Sequence, residues 1–176
     1  MNNIALGADG RANHVISVLR ATKRNGQLAH EVSFVPGLAL HVAPELEISG
    51  QWRSEEAEIF DLEATISGQG GWVGLHLDLP FESILPYGVL GIVARTSGPA
   101  EAVARVCLRS GKKDGFEDNF FEKPMIFSPQ DASHLDVIEL NRLSEVPERA
   151  PWRELILFLP SRSFHLRLID LRVFLV

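Results

Sequence analysis

Leu155-Ile-Leu-Phe-Leu159, Pro160-Ser-Arg-Ser163 and Phe164-His-Leu-Arg-Leu-Ile-Asp-Leu-Arg-Val-Phe-Leu-Val176 form the stretch that decides the fold. Pro160 with Ser161 and Ser163 is turn chemistry between two apolar runs, so the stretch reads as a hairpin. Its second strand is too apolar to face water on both sides and must lie inside a sheet. Phe164, Leu166 and Leu168 alternate at strand period; beyond Asp170 the parity changes, and Ile169, Leu171, Val173 and Leu175 carry the pattern. Side chains on a strand alternate strictly, so one flat strand cannot bury both sets. A bulge or sharp twist near Leu168–Asp170 is expected, or a strand that leaves one sheet for another. Thirteen extended residues would span about 43 Å, beyond the usual ~17–20 Å strand, which also calls for a break.

Working outward, short alternating segments recur between Gly, Pro and Asn punctuation. Trp72 to Leu79 is the cleanest: Val73, Leu75, Leu77 and Leu79 face one way, and Trp72, Gly74, His76 and Asp78 the other. Val103 to Arg109 places Ala104, Val106 and Leu108 opposite Val103, Arg105, Cys107 and Arg109. Further strands are expected at Glu31–Val35, Leu38–Val42, Leu46–Ile48, Ala57–Ile66, Val89–Thr96, Met125–Phe127 and His134–Leu140. His14–Arg20 reads as a first strand, a short helix being the alternative, and Lys23–Gly26 as a turn. Residues 1–13 read as a flexible arm, 110–123 as a long polar loop, and 141–148 as a loop with one helical turn. About nine or ten strands without a long helix predict an all-β fold. The specific expectation is an antiparallel two-sheet β-sandwich, a jelly roll, in one domain over 1–176.

The formal charge of −6 argues against a nucleic-acid binder, which needs a basic face. No apolar run reaches the ~18–20 residues of a membrane span. The first residues show no basic segment before an apolar block, so no signal peptide is read. The single cysteine, Cys107, excludes an internal disulfide. These features fit a protein made in the cytoplasm and kept there, or released as part of a particle.

From about residue 57 to 176 the order of strands resembles the galactose-binding-like jelly roll of carbohydrate-binding modules. The resemblance rests on the Trp72-led strand, the strand Ala104-Arg-Val-Cys-Leu-Arg109 with outward arginines, and the long last strand centred on Leu168–Leu171. It implies a non-catalytic β-sandwich that binds a glycan. Members bind sugar through residues that vary widely, so no binding residue carries over.

The residues themselves supply candidates. No nucleophile elbow, phosphate-binding loop or H-E-x-x-H pair is present. If the strands share a sheet, Trp72, His76 and Asp78 lie on one face with Arg105 and Arg109, and His165 and Arg167 of the last strand are expected to join them. A ring that stacks on C–H groups, beside planar donors and acceptors, is what a sugar requires; a solvated face of cross-strand ion pairs is the plainer reading. Asp114, Asp118 and Glu122 surround a glycine and offer oxygen ligands to a structural Ca²⁺, although the spacing is not that of an EF-hand; a solvated acidic loop is the alternative. Trp52 and Trp152 each either cap the core or offer a platform. The competing functional classes are a structural or assembly subunit of a phage-like particle or other homo-oligomer, since many apolar strands and an N-terminal arm suit assembly and a surface spike could also bind glycan, and an enzyme, for which the sequence shows no catalytic constellation.

Overall fold

The computed structural model describes residues 7–142 and 145–176. In chain order it contains helix α1 (Ala8–Arg20) and strands β1 (Arg24–Gln27), β2 (Glu31–Val35), β3 (Leu38–Val42), β4 (Leu46–Ser54), β5 (Phe60–Gly68), β6 (Val73–Asp78), β7 (Val89–Ser97), β8 (Ala102–Lys112), β9 (Gly115–Phe120), β10 (Met125–Phe127), β11 (Ala132–Glu139), β12 (Arg153–Leu159) and β13 (Phe164–Leu175). Six strands form one antiparallel sheet in the order β1-β4-β5-β13-β7-β11. Seven form the other, where β9 and β10 flank one edge of β8 and β12, β6, β3 and β2 follow from its other edge. The fold is the expected two-sheet sandwich.

The register of β13 against β7 shifts between Leu168 and Asp170. This bulge lets Phe164, Leu166 and Leu168 before it, and Leu171, Val173 and Leu175 after it, all turn inward. Across the core, Leu155, Leu157 and Leu159 of β12 lie in the same buried cluster. The two apolar runs are therefore not a hairpin. β12 pairs with β6 and β8 in the seven-stranded sheet, and β13 with β5 and β7 in the six-stranded one. Pro160–Ser163 is an arch between layers, because each run has one apolar face and two such faces are buried best by stacking.

Other expectations give way for local reasons. Residues 8–20 are helical rather than an arm followed by a strand. Ala12, Ile16 and Leu19 are buried at helical spacing, and Asp9 and Arg20 suit the two ends of the helix dipole. β5 accompanies β13 only as far as the Phe60–Leu168 pair. Beyond it the Asn13 amide donates to the Val173 carbonyl (2.7 Å) and accepts from the Val173 N–H (2.9 Å), so the helix stands where another strand would. Lys23–Gly26 is not a turn, since Arg24–Gln27 pairs along β4. The polar segment 110–123 is a hairpin of β8 and β9. Residues 1–6 of the expected arm, and 143–144 within the loop expected over 141–148, lie outside the described residues. No helix among the described residues is long and apolar enough to cross a membrane.

Candidate functional site

Parity in the seven-stranded sheet sends one set of side chains into the core and the other onto an outer face. Val73, Leu75 and Leu77 of β6 and Ala104, Val106 and Leu108 of β8 are buried inward. Their neighbours form cross-strand rows on the outer face. One row holds Arg105, Phe158, Gly74 and His41. The next holds Phe120, Cys107, Ile156, His76 and Ala39. A third is charged throughout, with Asp118, Arg109, Glu154 and Asp78. At the end of the face Phe116 and Gly111 adjoin Trp152, whose carbonyl accepts the Gly111 N–H at 3.0 Å.

Aromatic rings stand at both ends. Trp72, 39% exposed, lies edge-on to Phe158 with ring centres 6.3 Å apart, and Phe158 is 5.7 Å from Phe120. Arg105 stacks over Phe120 at 4.0 Å and Arg109 over Phe116 at 3.8 Å. At the other end Trp152 is 42% exposed and Phe116 53%. The Trp152 indole lies over Gly111, where a β-carbon would come within 2.5 Å of it. Between these groups the middle strand β12 presents Phe158, Ile156 and Glu154.

Arg109 donates through Nε and Nη2 to both oxygens of Asp118, each at 2.7 Å, and this pairing raises the Arg109 pKa. The Nδ1–H of His76 donates to Glu154 Oε2 at 2.9 Å. Burial alone would raise the Glu154 carboxyl, but this bond and the nearby positive charge hold it below its ordinary value. Asp78 lies directly opposite Glu154. Partial desolvation, and then the Glu154 charge, raise its carboxyl. His76 is almost buried, its ring 4.8 Å from that of His41 and 6.0 Å from that of Trp72. Burial, and then the charge of Asp118, push the Cys107 thiol up to about 12, so it is an inert part of the face. Asp78, Glu154, Trp152, Phe81 and Arg11 line a cleft of about 460 Å³ that opens beside the charged row.

Of the residues picked from sequence, the structure brings Trp72, His76, Asp78, Arg105 and Arg109 onto this face. His165 and Arg167 do not join them, because β13 belongs to the other sheet. There His165 Nε2 donates to Asp61 at 2.7 Å and Arg167 pairs with Glu58. Arg53 donates to the same Asp61 carboxylate (2.7 and 3.1 Å); burial alone would raise this carboxyl, but the hydrogen bonds from Arg53 and His165 hold it below its ordinary value. Asp114, Asp118 and Glu122 are not gathered into a ligand set. Asp118 is clasped by Arg109, and no group of three or more His, Cys, Asp or Glu able to hold a metal ion occurs among the described residues. Trp52 is buried against Phe34 at 4.8 Å and is a core residue, whereas Trp152 is on the face. Phe120 and Phe121 are adjacent and cannot both point inward, and it is Phe120 that is exposed; sequence reading missed Phe116, Phe158, His41 and Glu154 as members of the face. Period two was available for each; Asp, Gly and Asn in 114–119 hid it in β9, and neighbouring leucines hid it in β12.

No protein-family model matches the sequence, and no curated protein matches it. Solved structures do match. The CBM22-1 xylan-binding domain from Paenibacillus barcinonensis superposes with a TM-score of 0.52 at 13% identity, over 89% of this chain and 98% of that one. The family 11 carbohydrate-binding module from Clostridium thermocellum, solved with a β-1,3-1,4-mixed-linked tetrasaccharide, superposes at 0.50 with 12% identity, over 87% and 96%. The fold is a carbohydrate-binding-module-like jelly roll. At such identities the likeness is one of fold. Within this module-like jelly roll the face is defined by its own side chains.

Proposed function

We propose that the outer face of the seven-stranded sheet binds a polysaccharide chain without cleaving it. The observation that carries this reading is the set of rings left exposed on one sheet face, Trp72, Phe116, Phe120 and Trp152, alternating with Arg105, Arg109, Glu154 and Asp78. Rings of this size are normally buried; gathered on one surface they mark a contact surface for a partner with apolar faces and polar edges. A pyranose ring has both. The fixed Arg109–Asp118 and His76–Glu154 pairs present donors and acceptors whose orientation is already set, so little ordering is left to binding. Trp152 and Phe158 are six residues apart on one strand direction, about 20 Å at 3.3 Å per residue, which suits a chain of several sugars.

The test is retention in native gels cast with plant, fungal and bacterial polysaccharides, followed by calorimetry on whichever glycan retards the protein. The Trp72→Ala, Arg105→Ala double variant is expected to keep its circular dichroism spectrum and lose at least about tenfold in affinity, as for truncation of interface anchors. A wild-type protein that no glycan retards, or a double variant that binds like wild type, overturns the reading.

A further inference from the structure

We infer that Arg153 is the positioning residue for the Trp152 end of the face. This rests on the proposed glycan reading for its consequence, and on geometry alone for its structure. Arg153 is 2% exposed. Its parity turns it inward at the end of β12, away from the face that its neighbours Trp152 and Glu154 occupy. Among the described residues no carboxylate lies within ion-pair reach of it, and burial pulls its pKa down to about 10. Its partners are instead a hydroxyl and two main-chain carbonyls. Nη1 donates to Ser110 Oγ of β8, and Nη2 donates to the carbonyls of Pro147 (2.6 Å) and Glu148 (3.4 Å). Among the described residues Nε has no partner, and the guanidinium centre is 5.2 Å from the Phe81 ring.

Those partners belong to the segments that frame the cleft beside Trp152. The Ile84 N–H donates to Glu148 O (3.0 Å), the Ala150 N–H donates to Glu82 O (2.8 Å), and Ser83 bridges Arg149. Phe81, Glu82, Pro151 and Trp152 then line the cleft. One guanidinium therefore ties β8, residues 147–148 and, through them, residues 82–84 into one frame. A buried cation without a counter-charge is a costly way to gain stability, and an apolar side chain of similar length commonly does as well or better. What the guanidinium supplies and an apolar chain cannot is direction. Three donors aimed at three fixed oxygens hold the loop that leads into Trp152 in one place, and the indole stays flat on Gly111.

The experiment uses the full chain in a Trp72→Phe background, where Trp152 is the exposed indole and Trp52 the buried one. With Arg153→Met the sheet signal in circular dichroism is expected to persist, while iodide quenching of the exposed tryptophan changes and proteolysis within 145–152 accelerates. These readouts need no ligand, so they judge the positioning whether or not a glycan is found. On a bound glycan, Arg153→Met is expected to weaken affinity about tenfold with Trp152 present and not at all in a Trp152→Ala background, a full coupling in the double-mutant cycle. If Arg153→Met loses its sheet signal, Arg153→Lys carries the same arms, since one ammonium cannot span the same oxygens. Unchanged quenching and proteolysis, or affinity losses that add in full with those of Trp152→Ala, overturn the inference.

Discussion

Gly111 and His134 show how much single positions decide here. The Trp152 indole occupies the volume where a Gly111 side chain would be, with Cε2 and Nε1 both 2.5 Å from the position of an added β-carbon. Gly111→Ala must lift the ring off the sheet. Because Trp152 is 42% exposed, little core packing is lost, so the melting temperature is expected to stay within a few degrees of wild type. Affinity for a glycan that reaches this end falls about tenfold by calorimetry. His134 lies on the inner side of β11, 7% exposed, with no partner for Nε2 among the described residues. Burial lowers its pKa; Asp136 opposes this and Lys123 adds to it. The unfolded chain therefore holds the extra proton more readily between the lowered value and the ordinary ~6.5. Stability is fully present above about 6.5 and declines as the pH falls through that window. Thermal melts from pH 7 to pH 5 are expected to fall more steeply for wild type than for His134→Phe, and parallel curves would contradict the assignment. Neither residue was legible in the sequence as anything special. A glycine at the end of a strand reads as punctuation, and a histidine in an alternating run does not reveal which face is buried.

At the scale of elements, alternation was a good guide wherever one face is buried and the other wet. It located β6, β7, β8 and a break at Leu168–Asp170, where a change of parity in an apolar strand needs a bulge or a change of sheet, and the register shift shows it to be the bulge. It failed where two elements compete for one pattern. Residues 14–20 contain β-branched residues that suit a strand, but Ala12, Ile16 and Leu19 at helical spacing fill the gap that β5 leaves beside β13. It also cannot say which strands pair. Two apolar runs joined by a turn satisfy a hairpin and an arch equally, and only the opposing sheet distinguishes them. β4 carries the sharpest constraint at this scale. Gly50 sits at φ +133° opposite Ala64, and an added β-carbon would lie 2.0 Å from the Glu63 carbonyl oxygen. Its own carbonyl accepts the Leu28 N–H at 2.9 Å, so the β4–β5 pairing and the exit from β1 depend on one residue. Gly50→Ala combines unfavourable backbone with a main-chain clash and is expected to cost about 3 kcal/mol or more in urea unfolding. A loss under about 1 kcal/mol would mean that the strand can shift to accept it.

The whole molecule has two outer faces with different chemistry, and on the proposed reading only the seven-stranded one meets a glycan. Five of the seven candidate glycan-binding residues read from sequence share the seven-stranded face, because parity alone groups residues of strands in one sheet. The other two, His165 and Arg167, obey the same parity on the opposite sheet, and sheet membership is a long-range property that periodicity does not encode. Their pairing with Asp61 and Glu58 makes them part of a cross-strand network. His165→Ala and Arg167→Ala are therefore expected to shift the melting temperature by a few degrees and leave glycan affinity unchanged. On the other face the rings at Trp72–Phe158–Phe120 and at Trp152–Phe116 bracket the charged row of Asp118, Arg109, Glu154 and Asp78. On the proposed reading a short sugar meets one group of rings only, and a chain long enough to cross the charged row meets both. Calorimetry with oligosaccharides of increasing length is expected to show affinity rising in two stages. Trp152→Ala abolishes the second stage and leaves the first. A disaccharide that binds as tightly as the longest chain, with Trp152→Ala indifferent to length, would confine recognition to the Trp72 end and leave the rest of the face without a role in it.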